Sequence, residues 1–349
     1  MFMADVLIEA TIKSLMIFFL AMGGFAYTTW IERKFLARIQ MRYGPNRAGK
    51  FGLLQPVADG LKLFFKEELT PAGADKVIFT LAPIVTLLPA MLVFAVIPVG
   101  NKIALFGREY NLVLASGVNV GILYILAVTS IAVYGITMAG WSSNNKYALL
   151  GGLRSSAQMI SYELAMGLAI LSVVMTAGTL DVSKIVEAQM RPLVTLFGPV
   201  SIPQWYIIFQ PVAFAIYLIT SIAEVNRAPF DLPEAEQELT AGYHTEYSGM
   251  KFALFFAAEY IKMIAVSALG ATLFLGGYHG PFVSEVPLLG PVYFVLKTAL
   301  ALVVFVWVRG TLPRLRYDRL MAFGWKILLP LSLANVLVTA LVILVLGGK

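Results

Sequence analysis

The stretch from Phe252 to Tyr278, FALFFAAEYIKMIAVSALGATLFLGGY, decides the architecture. As a helix rising 1.5 Å per residue it would be about 40 Å long, more than the ~30 Å of hydrocarbon in a bilayer. Only Glu259 and Lys262 within it can ionise as acid and base at neutral pH. Working outward, comparable apolar runs cover 6–31, 77–100, 117–141, 157–180, 202–224, 286–309 and 326–347. These predict an all-α polytopic membrane protein of about eight transmembrane helices, forming a single integral membrane domain over 1–349. The composition agrees: 59% of the 349 residues are hydrophobic and 13% charged, with a mean hydropathy of +0.81. A soluble domain carries roughly twice that share of charge.

Charge then sets the orientation. Of the 26 Lys and Arg, 18 fall in the loops after spans one, three, five and seven, five lie on the opposite face, and Lys13, Lys262 and Lys297 lie inside spans. The positive-inside rule puts those four loops in the cytoplasm and both termini outside. Because the basic residues flank spans, the net charge of +6 does not argue for nucleic acid. The first apolar segment runs into Glu32-Arg33-Lys34 without a small-residue cleavage site, so it is expected to be a retained helix and not a signal peptide. With no cysteine there is no disulfide, no thiolate zinc site and no cysteine-held iron-sulfur cluster. Any electrons must come from a partner.

Pro83, Pro89 and Pro98 are expected to kink the second span. Leu53 to Phe65 places apolar residues at helical spacing with Asp59, Lys62 and Lys66 between them, which predicts a short amphipathic helix on the cytoplasmic membrane surface. Such a helix serves either as a lipid-facing cover or as a doorway for a lipid-soluble substrate. Gly151-Gly152 and Gly276-Gly277 read as turn and helix-end residues.

Glu163, Glu259, Lys262 and Lys297 fall inside predicted spans, where each ionisable group costs about 2.5 to 3.5 kcal/mol. By helical rise, Glu163 and Glu259 lie about 12 Å in from the cytoplasmic side, and Lys262 and Lys297 near the bilayer centre. Glu32 and Glu224 end spans one and five. The acids therefore grade inward from the surface towards buried lysines, as a proton relay requires; the lesser alternative for Glu259 and Lys262, three apart, is a mutually neutralising pair. The third cytoplasmic loop holds Asp231, Glu234, Glu236, Glu238 and Glu246 around Arg227. Asp231, Pro233 and Glu234 suit a helix start, but capping does not need the further acids, which makes the loop a proton-loading or docking surface. The two histidines, His244 and His279, fall on opposite sides of the predicted membrane and read as lone polar residues.

Several loop motifs carry a resemblance: Trp30-Ile31-Glu32-Arg33-Lys34, Arg42-Tyr43-Gly44-Pro45-Asn46-Arg47, Gly151 to Gln158 with Ser161-Tyr162-Glu163, Asn226 to Glu238, and Tyr317-Asp318. Together they resemble the H-type membrane subunits of bacterial respiratory complex I, equivalent to mitochondrial chain 1, over nearly the whole chain. The outer loops 101–116 and 181–203 contribute little to it. The resemblance implies a multi-pass subunit of the bacterial inner membrane, with both termini periplasmic, that forms the quinone chamber of the proton-translocating NADH:quinone oxidoreductase. It implies that Glu32, Glu163, Glu224, Asp231, Glu234, Glu236, Glu238, Glu246 and Glu259 form an acidic proton path, and that Arg33, Asp59, Glu67, Arg227 and Arg309 line or brace the chamber. Quinone would be the substrate, with no cofactor or metal in this chain and no electron-transferring residue of its own. FMN and iron-sulfur clusters would belong to partners, namely the quinone-site and iron-sulfur subunits of the hydrophilic arm, with further membrane-arm subunits alongside. The other readings are a homologous subunit of a membrane-bound hydrogenase or formate hydrogenlyase, and a secondary transporter.

Overall fold

The computed structural model describes residues 2–100, 103–105, 108–110, 112–115, 117–197, 200–231, 242–283 and 285–347. Its helices are α1 (Phe2–Ile39), α2 (Gln55–Phe65), α3 (Lys76–Leu92), α4 (Gly121–Ser142), α5 (Lys146–Ala177), α6 (Val182–Gln189), α7 (Tyr206–Phe209), α8 (Pro211–Glu224), α9 (Gly249–Phe274), α10 (Leu289–Thr311), α11 (Tyr317–Phe323) and α12 (Leu329–Gly347). Two antiparallel ribbons, β1 (Ile103–Leu105) with β2 (Arg108–Tyr110) and β3 (Pro192–Phe197) with β4 (Val200–Pro203), sit in the connections. Among the described residues seven helical stretches are long and apolar enough to cross a membrane. The last is α11 and α12 running on through a π-helical turn at Gly324–Leu328.

The eighth expected crossing takes a different form. Where 202–224 reads as one span, the chain finishes β4, makes one turn of α7, leaves helical geometry at Gln210 (φ −128°, ψ 53°) and restarts at Pro211. Proline suits this restart, since a first helical turn needs no amide donor there. The resulting α8 has 14 residues, about 21 Å, too short to cross hydrocarbon alone. In contrast, α5 begins 11 residues before the expected 157, because Asn145 caps it by accepting from the Tyr147 amide. Gly178, at φ +69°, ends it. Pro83 and Pro89 are held inside α3, whereas Pro98 lies beyond it: the chain tightens into a 3-10 turn at Val93–Ala95 and leaves the helix first.

Small residues let these helices approach closely. A side chain at Gly140 would meet the Ala148 carbonyl at 2.7 Å, and one at Gly152 would meet the Ile136 carbonyl at 3.2 Å, so α4 and α5 meet almost backbone to backbone. Gly151 abuts Gly242 of the loop before α9. Gly151-Gly152 is thus a packing pair within α5 and not a turn, while Gly276-Gly277, both at positive φ, do end α9. The loop leading into α9 is folded against the helices: Tyr247 stacks on Phe79 at 4.0 Å, and the Ser248 hydroxyl donates to the Glu67 carbonyl and accepts from the Leu69 amide, both at 3.0 Å. The largest buried cluster runs through α4, α5, α8 and α9. α2 buries no residue completely, and its Leu61, Phe64 and Phe65 face outward, the amphipathic pattern expected of it.

Candidate functional site

The site is a row of buried charges contributed by α1, α5, α8, the turn after α8, α9 and α10. At one end Glu32 of α1 is 3% exposed. Its Oε1 is bonded by Arg309 from α10 and lies 3.5 Å from Arg227 Nη1, and its Oε2 accepts from the Tyr260 hydroxyl at 2.6 Å. The Arg227 guanidinium lies 4.2 Å over the Tyr260 ring, and its Nε is 2.7 Å from Glu259 Oε1. One turn along α9, Lys262 Nζ is 3.1 Å from Glu224 Oε1. Glu163 faces this pair electrostatically and accepts from the Ser130 hydroxyl of α4 at 2.5 Å.

The local chain explains how these groups meet. Asn226 adopts φ +55°, so the backbone turns sharply after α8 and points Arg227 back between α1 and α9. Tyr260 and Glu259 are neighbours on α9, and Glu259 and Lys262 are nearly one turn apart, so a single helix supplies three members of the row. Glu259 therefore pairs with Arg227, and Lys262 with Glu224, across elements. Among the described residues four carboxyls (Glu32, Glu163, Glu224, Glu259) stand against three cations (Arg227, Lys262, Arg309). Desolvating an unbalanced charge costs several kcal/mol, so the excess acid leaves the row sensitive to any charge placed beside it.

Between Glu224, Asn226, His244, Glu259 and Lys262 lies a cavity of about 30 Å³, space for about two waters. Glu224 Oε2 and Asn226 Oδ1 border it without a hydrogen bond from the described residues, which makes it wettable. His244, which the sequence presents as an isolated polar residue, packs its ring among Tyr243, Phe252 and Phe255 at the cavity edge. Burial pushes its pKa down to about 3, so it stands there neutral. Beyond Lys262 a second cavity of about 20 Å³ is walled by apolar side chains such as Pro89, Val93, Met166 and Leu269. Glu163 lies on the floor of an apolar groove of about 630 Å³ between α4, α5 and α12.

The remaining expected site residues divide between the row and its surroundings. Arg33 and Asp59 form a 2.6 Å pair joining α1 to α2 on the exposed side, one residue from Glu32, and Gln55 donates to Asp59 at 3.1 Å. Arg227 and Arg309 belong to the charge row itself. Glu67 has an exposed side chain, and its carbonyl is engaged by Ser248. Glu246 accepts from Asn145 Nδ2 at 2.7 Å and so braces the start of α5, away from the row. Asp231 is half-buried; Glu234, Glu236 and Glu238 lie outside the described residues. Sequence reasoning missed Tyr260, Ser130 and Asn226. A tyrosine beside a membrane-embedded glutamate was the available signal for Tyr260, and Asn226 opens one of the quoted loop motifs; nothing local marked Ser130.

Long apolar helices enclosing an alternating row of carboxylates and cations define an integral membrane protein with ionisable groups in its interior. A family model described as NADH dehydrogenase matches residues 12–340. The chain is 54% identical over 322 residues, 92% of each chain, to the second of the NADH-quinone oxidoreductase H subunits of Syntrophobacter fumaroxidans. It is 54% identical to the corresponding H subunit of Thermomicrobium roseum, again over 92% of each chain. To the first H subunit of Geobacter sulfurreducens it is 52% identical over 346 residues, covering 96% of this chain and 95% of that one. The chain belongs to the NADH dehydrogenase family, among the H subunits of the NADH-quinone oxidoreductases.

Proposed function

We propose that this chain forms the membrane-embedded wall of the quinone chamber in a proton-translocating NADH:quinone oxidoreductase, and that its charge row carries the coupling between quinone reduction and proton movement. The observation that supports this most is the pairing Glu32–Arg227–Glu259 followed by Lys262–Glu224, ending at Glu163, with one acid more than the cations balance. Electrons reach the quinone from FMN and iron-sulfur clusters of the hydrophilic-arm subunits. This chain, lacking cysteine, contributes the chamber wall and the protons' route. Other membrane-arm subunits cover its lipid-exposed faces. The charge distribution along the sequence favours a cytoplasmic chamber mouth and both termini on the periplasmic side of a bacterial inner membrane.

The step is electrostatic. Two electrons and two protons convert the quinone to quinol, and an electron arriving before its proton leaves negative charge in the chamber. That charge competes with Glu32 for Arg309 and Arg227. A guanidinium drawn towards the chamber loosens its hold on Glu32 and Glu259, whose affinity for a proton then rises. Water in the cavity between Glu259 and Glu224 can relay that proton from a neighbouring acid of the row, and the carboxylate left behind draws on Lys262 and passes the disturbance towards Glu163. Protonation of the reduced quinone to neutral quinol removes that charge and reverses the sequence. Arg33 and Asp59, at the junction of α1 and α2, stand at the entrance, and α2 supplies an apolar surface over which a lipid-soluble quinone approaches.

Replacing Glu259 or Glu163 by Gln in the assembled enzyme tests this. NADH-driven proton uptake into inverted membrane vesicles, per electron passed, is expected to fall at least about threefold in each. Subunit content should stay at wild-type level. Full pumping stoichiometry in both variants would remove the row from the path.

A further inference from the structure

Lys297 reads from the sequence as a buried ionisable group near the bilayer centre. It lies eight residues into α10, about 12 Å from the start of that helix. Its Nζ donates to three backbone carbonyls, Leu275 at 2.6 Å, Gly277 at 2.9 Å and His279 at 2.6 Å, and sits 5.0 Å over the Trp205 ring. Among the described residues no carboxylate pairs with it. The three carbonyls belong to the turn that ends α9, where Gly276 and Gly277 take positive φ and the Gly277 amide reaches back to the Ala271 carbonyl at 2.9 Å. An ammonium at this position meets the negative end of the helix dipole as well as three acceptors.

The same helix holds α9 at a second level. Arg309, twelve residues or about 18 Å further along α10, bonds Glu32, which in turn accepts from Tyr260 of α9. α10 thus grips α9 at its outer end through Lys297 and near its inner end through Arg309 and Glu32. Glu259 and Lys262 lie beside the inner grip, on the stretch of α9 whose height and rotation the two grips set together. Slipping α9 by a single residue would turn it about 100° and carry both side chains out of reach of their partners.

We infer that Lys297 is a positioning residue that fixes the height and rotation of α9, and through it the Arg227–Glu259 and Glu224–Lys262 pairs. This rests on the proposed role of the charge row. Lys297 touches neither quinone nor the row, and carries no proton along it.

The test uses the whole enzyme in native membranes, with Lys297→Arg, Lys297→Gln and Lys297→Met alone and each combined with Glu259→Gln. Protons pumped per electron and NADH:quinone turnover are measured against the amount of assembled complex. Arg, which retains charge and donors, is expected to pump as wild type, and Gln to fall between Arg and Met. Met should lose on the order of twofold to tenfold in stoichiometry while electron transfer continues. Each double variant should lose no more than the larger of its two single losses. If Met fails to assemble, the Arg and Gln variants still rank the role of the charge. Equal stoichiometry in all assembled variants, an effect on electron transfer equal to that on pumping, or losses that add to those of Glu259→Gln would overturn the inference. Normal pumping by Glu259→Gln together with a loss in the Lys297 variants would instead overturn the proposed path and, with it, the positioning role of Lys297.

Discussion

Glu32 concentrates the chemistry of a single residue: a 3% exposed carboxylate that receives two guanidiniums and a phenol from elements distant in sequence. Breaking a buried charge pair on one side leaves the partner uncompensated and costs about 3 to 5 kcal/mol, whereas removing both sides costs far less. Glu32→Gln is accordingly expected to lower the thermal inactivation midpoint of the assembled enzyme more than Arg309→Met does, because Glu32 answers two cations and Arg309→Met leaves Arg227 and Tyr260 in place. The double variant should recover part of the loss, and strictly additive losses in thermal-shift measurements would show that the two residues do not act as a pair. At this scale the sequence was only half legible. Glu32, Glu163, Glu224 and Glu259 stand out because ionisable groups in apolar runs are costly. Their partners do not: the expectation that Glu259 and Lys262 neutralise each other follows from helical spacing, yet each finds its counter-charge in the segment 224–227, a choice made by tertiary packing.

Among elements, the apolar helices were legible because their length and composition answer to the bilayer. The interruptions were not. Within the run 202–224 the pair Gln210-Pro211 is the local sign of a break that hydropathy alone passes over, and the break is stabilised from outside: the Gln210 side-chain amide bonds Thr176 of α5 at 3.2 Å and Thr339 of α12 at 3.1 Å. Likewise the early start of α5 runs through polar residues such as Arg154, Ser155 and Ser156, which no window of hydropathy would include, and depends on the Asn145 cap. The amphipathic α2 is the element whose role separates a quinone doorway from a lipid cover. If it forms the approach for a lipid-soluble quinone, Phe64→Asp, which removes an aromatic side chain from its outward apolar face, should raise the apparent KM for a long-chain quinone by about tenfold, as the loss of roughly 1.5 kcal/mol of apolar contact implies. The kcat and NADH oxidation by a water-soluble acceptor should hold. An unchanged KM would return α2 to a lipid-covering role.

The whole molecule is a helical bundle with a line of charge through its interior. That buried row begins one residue from the exposed Arg33–Asp59 pair and ends at Glu163, on the floor of a groove open between α4, α5 and α12. If the row couples quinone chemistry to proton movement, a carboxyl within it changes its proton occupancy when quinone is reduced. Infrared difference spectroscopy of the assembled enzyme, recorded between oxidised and quinol-filled states, reads that change directly in the carbonyl stretch of protonated carboxylic acids. A band in that region that disappears in Glu163→Gln or Glu259→Gln, with quinone bands intact, is the predicted result. Carboxyl bands identical in wild type and both variants would contradict the proposed coupling.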